Sequence, residues 1–183
     1  MSTLLSDIRF LLAERARDAS LQELIRMAAI LDDGLPHIAD TAPRSRGLVK
    51  VSAAGALLPE SAPEWALVLD ERTDLLWSRG LLSMKGASWK AALQTATEFT
   101  TAAPVKFRAP TVMERLSICD YSRIEPALDT RFFDSPKSGW EWTATPYAPS
   151  PADYAWFVYI SYGYSNWSSQ YYEGFVRACA PRQ

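Results

Sequence analysis

The spacing of apolar positions changes along the chain, and each change marks an element. Leu4, Leu5, Ile8, Leu11, Leu12 and Ala16 fall on one helical face, with Asp7, Arg9, Glu14, Arg15 and Arg17 around the rest. The pattern predicts a helix over 4–17. Ser20 and Glu23 then have capping-box spacing, in which each side chain bonds the other's free backbone N–H. A second helix is expected from about Leu21 to Leu31, with Leu21, Leu24, Ile25, Ala28 and Leu31 as its stripe; Gly34 and Pro36 end it. Two short amphipathic helices leave an apolar stripe that must be covered, either by the rest of the chain or by self-association or docking into a larger assembly.

From Pro36 onward Pro, Ala, Gly and Ser dominate, with one β-like run, Leu48–Val51. This reads as a linker with a little strand. A compact domain is expected to begin near Trp65. Residues 65–70 (WALVLD) read as a strand, and ERTDLLW as a turn into a second strand. Ser88 is placed to cap a helix reaching Ala102, with Trp89, Ala92, Leu93, Ala96 and Phe99 on one face. A further helix is expected over 110–120, started by Pro110 and Thr111, with Glu114 in its first turn and Met113, Leu116 and Ile118 making apolar contacts. Residues 127–139 are irregular, and strands follow at 139–145, 154–160 and 173–180. Strand, helix, helix, long loop and several strands make an α+β pattern. The predicted organisation is a helical docking or oligomerisation segment (1–35), a Pro/Ala/Gly-rich linker (36–64) and a ligand-binding domain (65–183).

Composition narrows the function. With 183 residues, 48% hydrophobic and 22% charged, the chain is an ordinary globular one able to bury a sizeable core. Its formal net charge of -2 disfavours nucleic acid as a partner, since phosphates call for a basic surface. No apolar run reaches the roughly 18 residues of a membrane span. The opening MSTLLSDIRF lacks a basic region followed by an apolar stretch and is not read as a signal peptide. A protein acting outside a cell would then leave by lysis or by assembly into a particle. The two cysteines, Cys119 and Cys179, define no disulfide framework and are read as free and buried.

Catalytic chemistry finds little support. His37 is the single histidine and lies in the linker, so a hydrolase triad has no histidine base within the domain. There is no phosphate-cradling glycine loop, and the cysteines have neither CxxC spacing nor clustered histidines for zinc. Asp129, Asp134 and Glu141 are the carboxylates that could in principle gather around an ion, although surface or turn roles suit them better. The expectation is a non-enzymatic protein without a cofactor.

The most informative stretch runs from Trp140 to Pro181. The chain has 7 Trp and 8 Tyr, and this stretch sets them among Ser, Thr, Asn, Gln and Gly with few charges. Such a mixture suits a contact surface, because each ring offers a large area at low entropic cost and keeps a polar handle. Strand 154–160 is expected to supply core, with Trp142, Trp156 and Val158 inside, and Arg177 to be a paired structural residue. The segment from Ser161 to Tyr172 is expected to be the exposed recognition surface. The candidate ligand- or partner-binding residues are Tyr159, Ser161, Tyr162, Tyr164, Ser165, Asn166, Trp167, Ser168, Ser169, Gln170 and Tyr171.

A resemblance strengthens this picture. LVLDERTDLLW (67–77), SWKAAL (88–93), FRAPTVMERLSI (107–118), ALDTRFF (127–133), WEWTATPY (140–147), YAWFVYISYG (154–163) and FVRACA (175–180) occur in the order seen in the Lcl C-terminal domain family. This is a C-type-lectin-like module of collagen-like bacterial adhesins and of phage and bacterial proteins. The resemblance covers Trp65 to the C-terminus and leaves the first 60 or so residues unexplained. Asp74 stands where the family usually has Gly, and Ala109 where it usually has Leu. The resemblance implies a fold whose first and last strands pair, with the segment before the last strand as ligand surface. It also implies an oligomer, a trimer in the adhesins. Calcium-lectin words are missing: Glu125-Pro126 is followed by Ala127 rather than Asn, and Asn166 precedes Trp167 instead of following it. The fold's sulfatase-activating relatives need reactive cysteines, whereas Cys179 lies in an apolar strand pattern.

The expected function is therefore a phage- or particle-borne adhesin that contacts a bacterial surface glycan or protein. A cytoplasmic inhibitor or structural subunit using the same surface against a protein is the alternative. A variable protein of a diversity-generating retroelement is another, since the Tyr/Ser/Asn richness is similar to that of such proteins.

Overall fold

The computed structural model describes residues 47–83 and 85–182. The helices expected over 4–17 and 21–31, the docking segment 1–35 and His37 lie outside the described residues.

Among the described residues eight strands and two helices follow in order: β1 (Leu48–Val51), β2 (Leu57–Leu58), β3 (Leu67–Asp70), β4 (Leu75–Ser78), α1 (Trp89–Glu98), α2 (Val112–Ser117), β5 (Trp140–Pro146), β6 (Tyr154–Tyr159), β7 (Ser165–Ser169) and β8 (Cys179–Pro181). They form a five-stranded sheet, β2-β1-β3-β4-β8, and a three-stranded sheet, β5-β6-β7, antiparallel throughout. The fold is α+β with short strands.

Three expectations are corrected here. The Leu48–Val51 run pairs along its whole length with β3 and brings β2 with it, so residues read as linker are part of the domain sheet. The last strand pairs with β4, not with the strand that opens at Trp65, with Trp77 opposite Cys179. Of the strand expected over 173–180, only its end is ladder; Gly174 and Phe175 instead make single bridges to Ala87 and Glu141. Phe175 exchanges backbone hydrogen bonds with Trp140 and Trp142, and Ala178 accepts one from Ser78, so this segment stitches the two sheets together.

All four residues of β3 are buried, including Asp70, and so are all four of β4. The reason is that both faces of the large sheet are covered, which removes the apolar-polar alternation of a half-exposed strand. On one face Val51, Leu67, Leu69 and Leu76 pack with Ala92 and Ala96 of α1 and with Trp142 and Phe157 of the small sheet. On the other, Leu48, Val68, Leu75 and Trp77 meet Ile118, Leu128, Phe132 and Phe133 from the irregular stretch. The β3–β4 turn keeps a left-handed residue where the sequence departs from the family: Asp74 has φ 54°. Asp tolerates that region at modest cost. Asp70 accepts from the Arg72 backbone N–H (3.1 Å) and guanidinium (2.9 Å), which holds the turn from its other end.

Helix α1 ends at Glu98, short of the expected Ala102, as the chain enters extended backbone at Phe99 and the β-branched pair Thr100-Thr101. Ser88 occupies the cap position but makes no side-chain cap bond; the Trp89 N–H donates to the Gln170 carbonyl (2.9 Å). Helix α2 is shorter than expected and is fixed by a capping box: Glu114 N–H donates to Thr111 Oγ1 (3.2 Å), and Thr111 N–H donates to Glu114 (2.7 Å). Ile118 is buried as expected, but Met113 is 71% exposed and makes no core contribution.

The buried face of α2 carries a charge. Arg115 donates two hydrogen bonds to Glu141 of β5, at 2.8 and 2.9 Å, and Arg177 lies 3.5 Å from the same carboxylate; all three side chains are at most 1% exposed. Arg177 also donates to the Ser78 (2.9 Å), Arg79 and Asp134 (3.1 Å) carbonyls. Burial alone would raise the Glu141 pKa, but the two guanidiniums outweigh it and hold it below the ordinary value. Glu141 is thus neither a surface residue nor an ion ligand. Asp129 pairs with Arg131 (2.6 Å) and Arg123 (3.5 Å), and Asp134 with Arg79 (2.7 Å), so the three carboxylates do not converge.

Two outcomes are expected. Glu141→Gln leaves two guanidiniums buried without their anion and should lower unfolding free energy by about 3–5 kcal/mol in urea titrations. Glu114 is held at about 2, against an ordinary 4.5, chiefly by its hydrogen bonds from Arg108. A carboxyl depressed on folding contributes stability that is complete above its unfolded value and lost as pH falls through the folded one. Stability should therefore decline from about pH 4.5 towards about 2, and Glu114→Gln should make that decline shallower.

Candidate functional site

The small sheet is a meander, and its two faces differ. Register places Trp140 opposite Tyr159, Trp142 opposite Phe157, and Phe157 opposite Asn166. Side chains alternate across a strand, so these residues share the face turned towards α1 and the main core. Glu141, Val158, Trp156 and Trp167 share the other.

On the first face a groove of about 580 Å³ opens beyond the core. Its walls include Trp140, Phe157, Tyr159, Tyr164, Asn166 and Tyr172, with Ser138, Ser161 and Ser168 at the polar edges. Among the described residues, no side chain lining the groove is charged at neutral pH. Ring contacts run continuously from the core to the rim: Trp142 to Trp140 (5.0 Å), Trp140 to Phe157 (4.2 Å), Phe157 to Tyr159 (4.9 Å), Tyr159 to Tyr164 (4.6 Å) and Tyr164 to Tyr162 (6.2 Å). The inner end of the series, Trp142, is fully buried, and the outer end, Tyr162, is 51% exposed. The inner rings are fixed through their indoles, as Trp140 Nε1 donates to the Glu173 carbonyl (2.8 Å) and Trp142 Nε1 to the Ala87 carbonyl (3.0 Å). Asn166 Oδ1 accepts from the Trp167 N–H (2.8 Å), which leaves the amide NH2 as the end able to donate elsewhere.

The β6–β7 connection carrying Tyr162 and Tyr164 is clamped by the loop after α2. Ala127 N–H donates to the Ile160 carbonyl (2.8 Å), Glu125 N–H to the Ser161 carbonyl (2.9 Å), and Tyr121 Oη to the Gly163 carbonyl (3.1 Å). Gly163 has φ 71°, and a Cβ there would lie 3.2 Å from Cys119 Sγ and 3.3 Å from Ala127 Cβ. The turn needs glycine for both its conformation and its close approach.

The predicted site residues divide between the two faces. Tyr159, Ser161, Tyr162, Tyr164, Asn166 and Ser168 line the groove. Trp167 reaches its rim, but its ring stacks on Tyr147 (4.6 Å, 19°) and meets Tyr154 edge-on (5.3 Å). Ser165 and Ser169 lie on that second face, opposite Val158 and Tyr154. Tyr171 is 83% exposed and lies outside the groove. Gln170 is buried, and its amide donates to the Pro151 (3.0 Å) and Tyr154 (3.2 Å) carbonyls, so it supports backbone rather than offering contact. Trp142 and Val158 are core, whereas Trp156 is half-buried on the second face beside Tyr147. Sequence reasoning missed Trp140 and Phe157 as groove residues, and Tyr172, which also lines the groove, fell inside the expected surface without being among the candidate binding residues. Alternation in WEWTAT pairs Trp140 with Trp142, but only register with β6 shows that Trp140 sits at the open end.

Cys119 and Cys179 are both buried. Burial pushes the Cys119 thiol up despite the neighbouring Arg115, and the Cys179 thiol up to about 12. Neither is a thiolate at neutral pH.

An α+β domain of short antiparallel strands, with an aromatic groove at the end of its small sheet, is the class that the geometry defines. The chain belongs to the Lcl C-terminal domain family, whose model matches residues 66–180. The match begins after β1 and β2, so two strands that complete the large sheet precede the matched stretch. No curated protein and no solved structure matches the chain.

Gly163→Ala should lower stability by about 1–3 kcal/mol, because a left-handed non-glycine residue and a crowded Cβ both cost energy. Circular dichroism melts against the parent check this, and an unchanged melting temperature would mean that the turn relaxes freely.

Proposed function

We propose that this domain is a C-type-lectin-like, non-enzymatic recognition module of adhesin type. In this reading it contacts a bacterial surface glycan or protein through the aromatic surface formed by β5, β6 and the β6–β7 connection. It would be carried on a phage or secreted particle and presented by residues 1–35, with a homotrimer multiplying weak single sites.

One observation carries the reading: a concave, uncharged groove in which exposed tyrosines continue a ring series rooted in the core. Aromatic rings held this way bind with little further loss of freedom, and polar groups at the edge set orientation. Among the described residues the lining offers no carboxylate, imidazole or amine as an acid or base at neutral pH, which favours binding over turnover. Family membership adds the link to adhesins.

The test separates the two faces. Labelled full-length protein is incubated with intact bacteria and envelope fractions, beside a groove variant (Tyr164→Ser with Tyr172→Ser) and a second-face variant (Tyr147→Ser), each checked for folding. The groove variant should bind about tenfold more weakly or worse, as removal of central aromatic contacts does at interfaces, while Tyr147→Ser should change binding less than about threefold. Equal binding by the groove variant and the parent would move the site. No binding by the parent would overturn the adhesin reading and turn attention to a protein partner.

A further inference from the structure

We propose that the groove accepts an uncharged sugar chain rather than an anionic polymer or a protein. This rests on the groove's being the binding site and names the chemistry it takes.

Charge is the first discriminator. A sulfated, phosphorylated or uronic-acid polymer needs cationic partners, and the lining has none among the described residues. The ionisable residue next to Tyr172 is an acid, Glu173, and its carbonyl already accepts from Trp140 Nε1 (2.8 Å). An anion entering here would lose hydration and gain no counter-charge.

Shape is the second. A stable protein interface buries about 800 Å² per partner on a broad surface with a central cluster of anchors. The groove is instead a concavity of about 580 Å³, inside the roughly 300–1,000 Å³ range of small-ligand clefts. Its outer rings are pre-set: Tyr164 lies at 42° to Tyr159 and at 18° to Tyr162. The clamp on the β6–β7 connection holds those angles before any ligand arrives.

Chemistry is the third. A pyranose ring has an apolar C–H face and a rim of hydroxyls. Tyr159, Tyr164 and Tyr172 supply flat apolar faces, and their phenol hydroxyls have no protein hydrogen-bond partner among the described residues. Asn166 supplies an amide donor and Ser168 a hydroxyl beside them. Flat faces edged by unspent neutral donors and acceptors match a neutral sugar on both its surfaces.

The experiment uses the full chain and envelope fractions from a panel of bacteria as the probe. Binding is measured after periodate oxidation of the envelopes, after protease treatment, and from about 50 mM to about 500 mM NaCl. The inference expects binding to fall at least tenfold after periodate, to survive protease, and to change less than about twofold with salt. It further expects Asn166→Asp, which keeps the shape but replaces donors with acceptors, to weaken binding at least threefold at either salt. Loss on protease treatment would assign a protein partner and overturn the inference while leaving the adhesin reading standing. A tenfold or greater loss with salt would assign a charged polymer and overturn it likewise. Envelope binding that ignores both Asn166→Asp and the Tyr164/Tyr172 variant would place recognition off this groove and also overturn it. Absence of envelope binding altogether would remove both readings.

Discussion

One buried carboxylate holds this domain together. Glu141 lies between Trp140 and Trp142 in sequence and points to the opposite face of β5, where Arg115 and Arg177 meet it. Through it, α2, the small sheet and the segment that joins the two sheets share a single anchor. Burying such charges is expensive, and the cost is offset only because hydrogen bonding is extensive. Arg115 is bidentate to Glu141, and Arg177 places its other donors on backbone carbonyls and its guanidinium over the Phe133 ring at 5.1 Å. Hydrophobic contact alone could let β5 slide against its neighbours; a bidentate pair permits one position.

That position matters because β5 carries the inner wall of the groove. With Glu141 fixed, Trp140 and Trp142 must face the other way, where Phe157 and Tyr159 of β6 continue the ring series outward. The loop from Cys119 to Ala127 then fixes the β6–β7 connection from outside. The outer tyrosines of the groove therefore sit on a short loop, but the loop is bound to rigid elements on both sides. A groove of this kind has its shape before any ligand meets it, which keeps the ordering entropy of a contact small.

Much of this was legible in the chain itself. The α+β order followed from the change of apolar period, and the family followed from the succession of short motifs now matched over residues 66–180. The α2 cap was readable because Thr111 and Glu114 are local partners three residues apart. The aromatic segment stood out by composition, and seven of the eleven candidate residues border the groove, Trp167 at its rim. Gln170 misled because a polar residue among exposed tyrosines looks like a ligand contact, while its amide is committed to two carbonyls distant in sequence.

What the sequence determined by itself was whatever depends on neighbours along the chain: helical and strand periods, caps, the turn at Asp74, and the concentration of Tyr and Trp with small polar residues. What only the tertiary structure decided depends on pairing across long separations. The Leu48–Val51 run became a sheet strand because β3 was free to receive it, and the C-terminal strand chose β4. Glu141 found Arg115 and Arg177, each far from it in sequence. Trp167 and Asn166 are adjacent in the chain yet serve opposite faces, since a strand turns successive side chains to opposite sides and only register tells which side holds the groove.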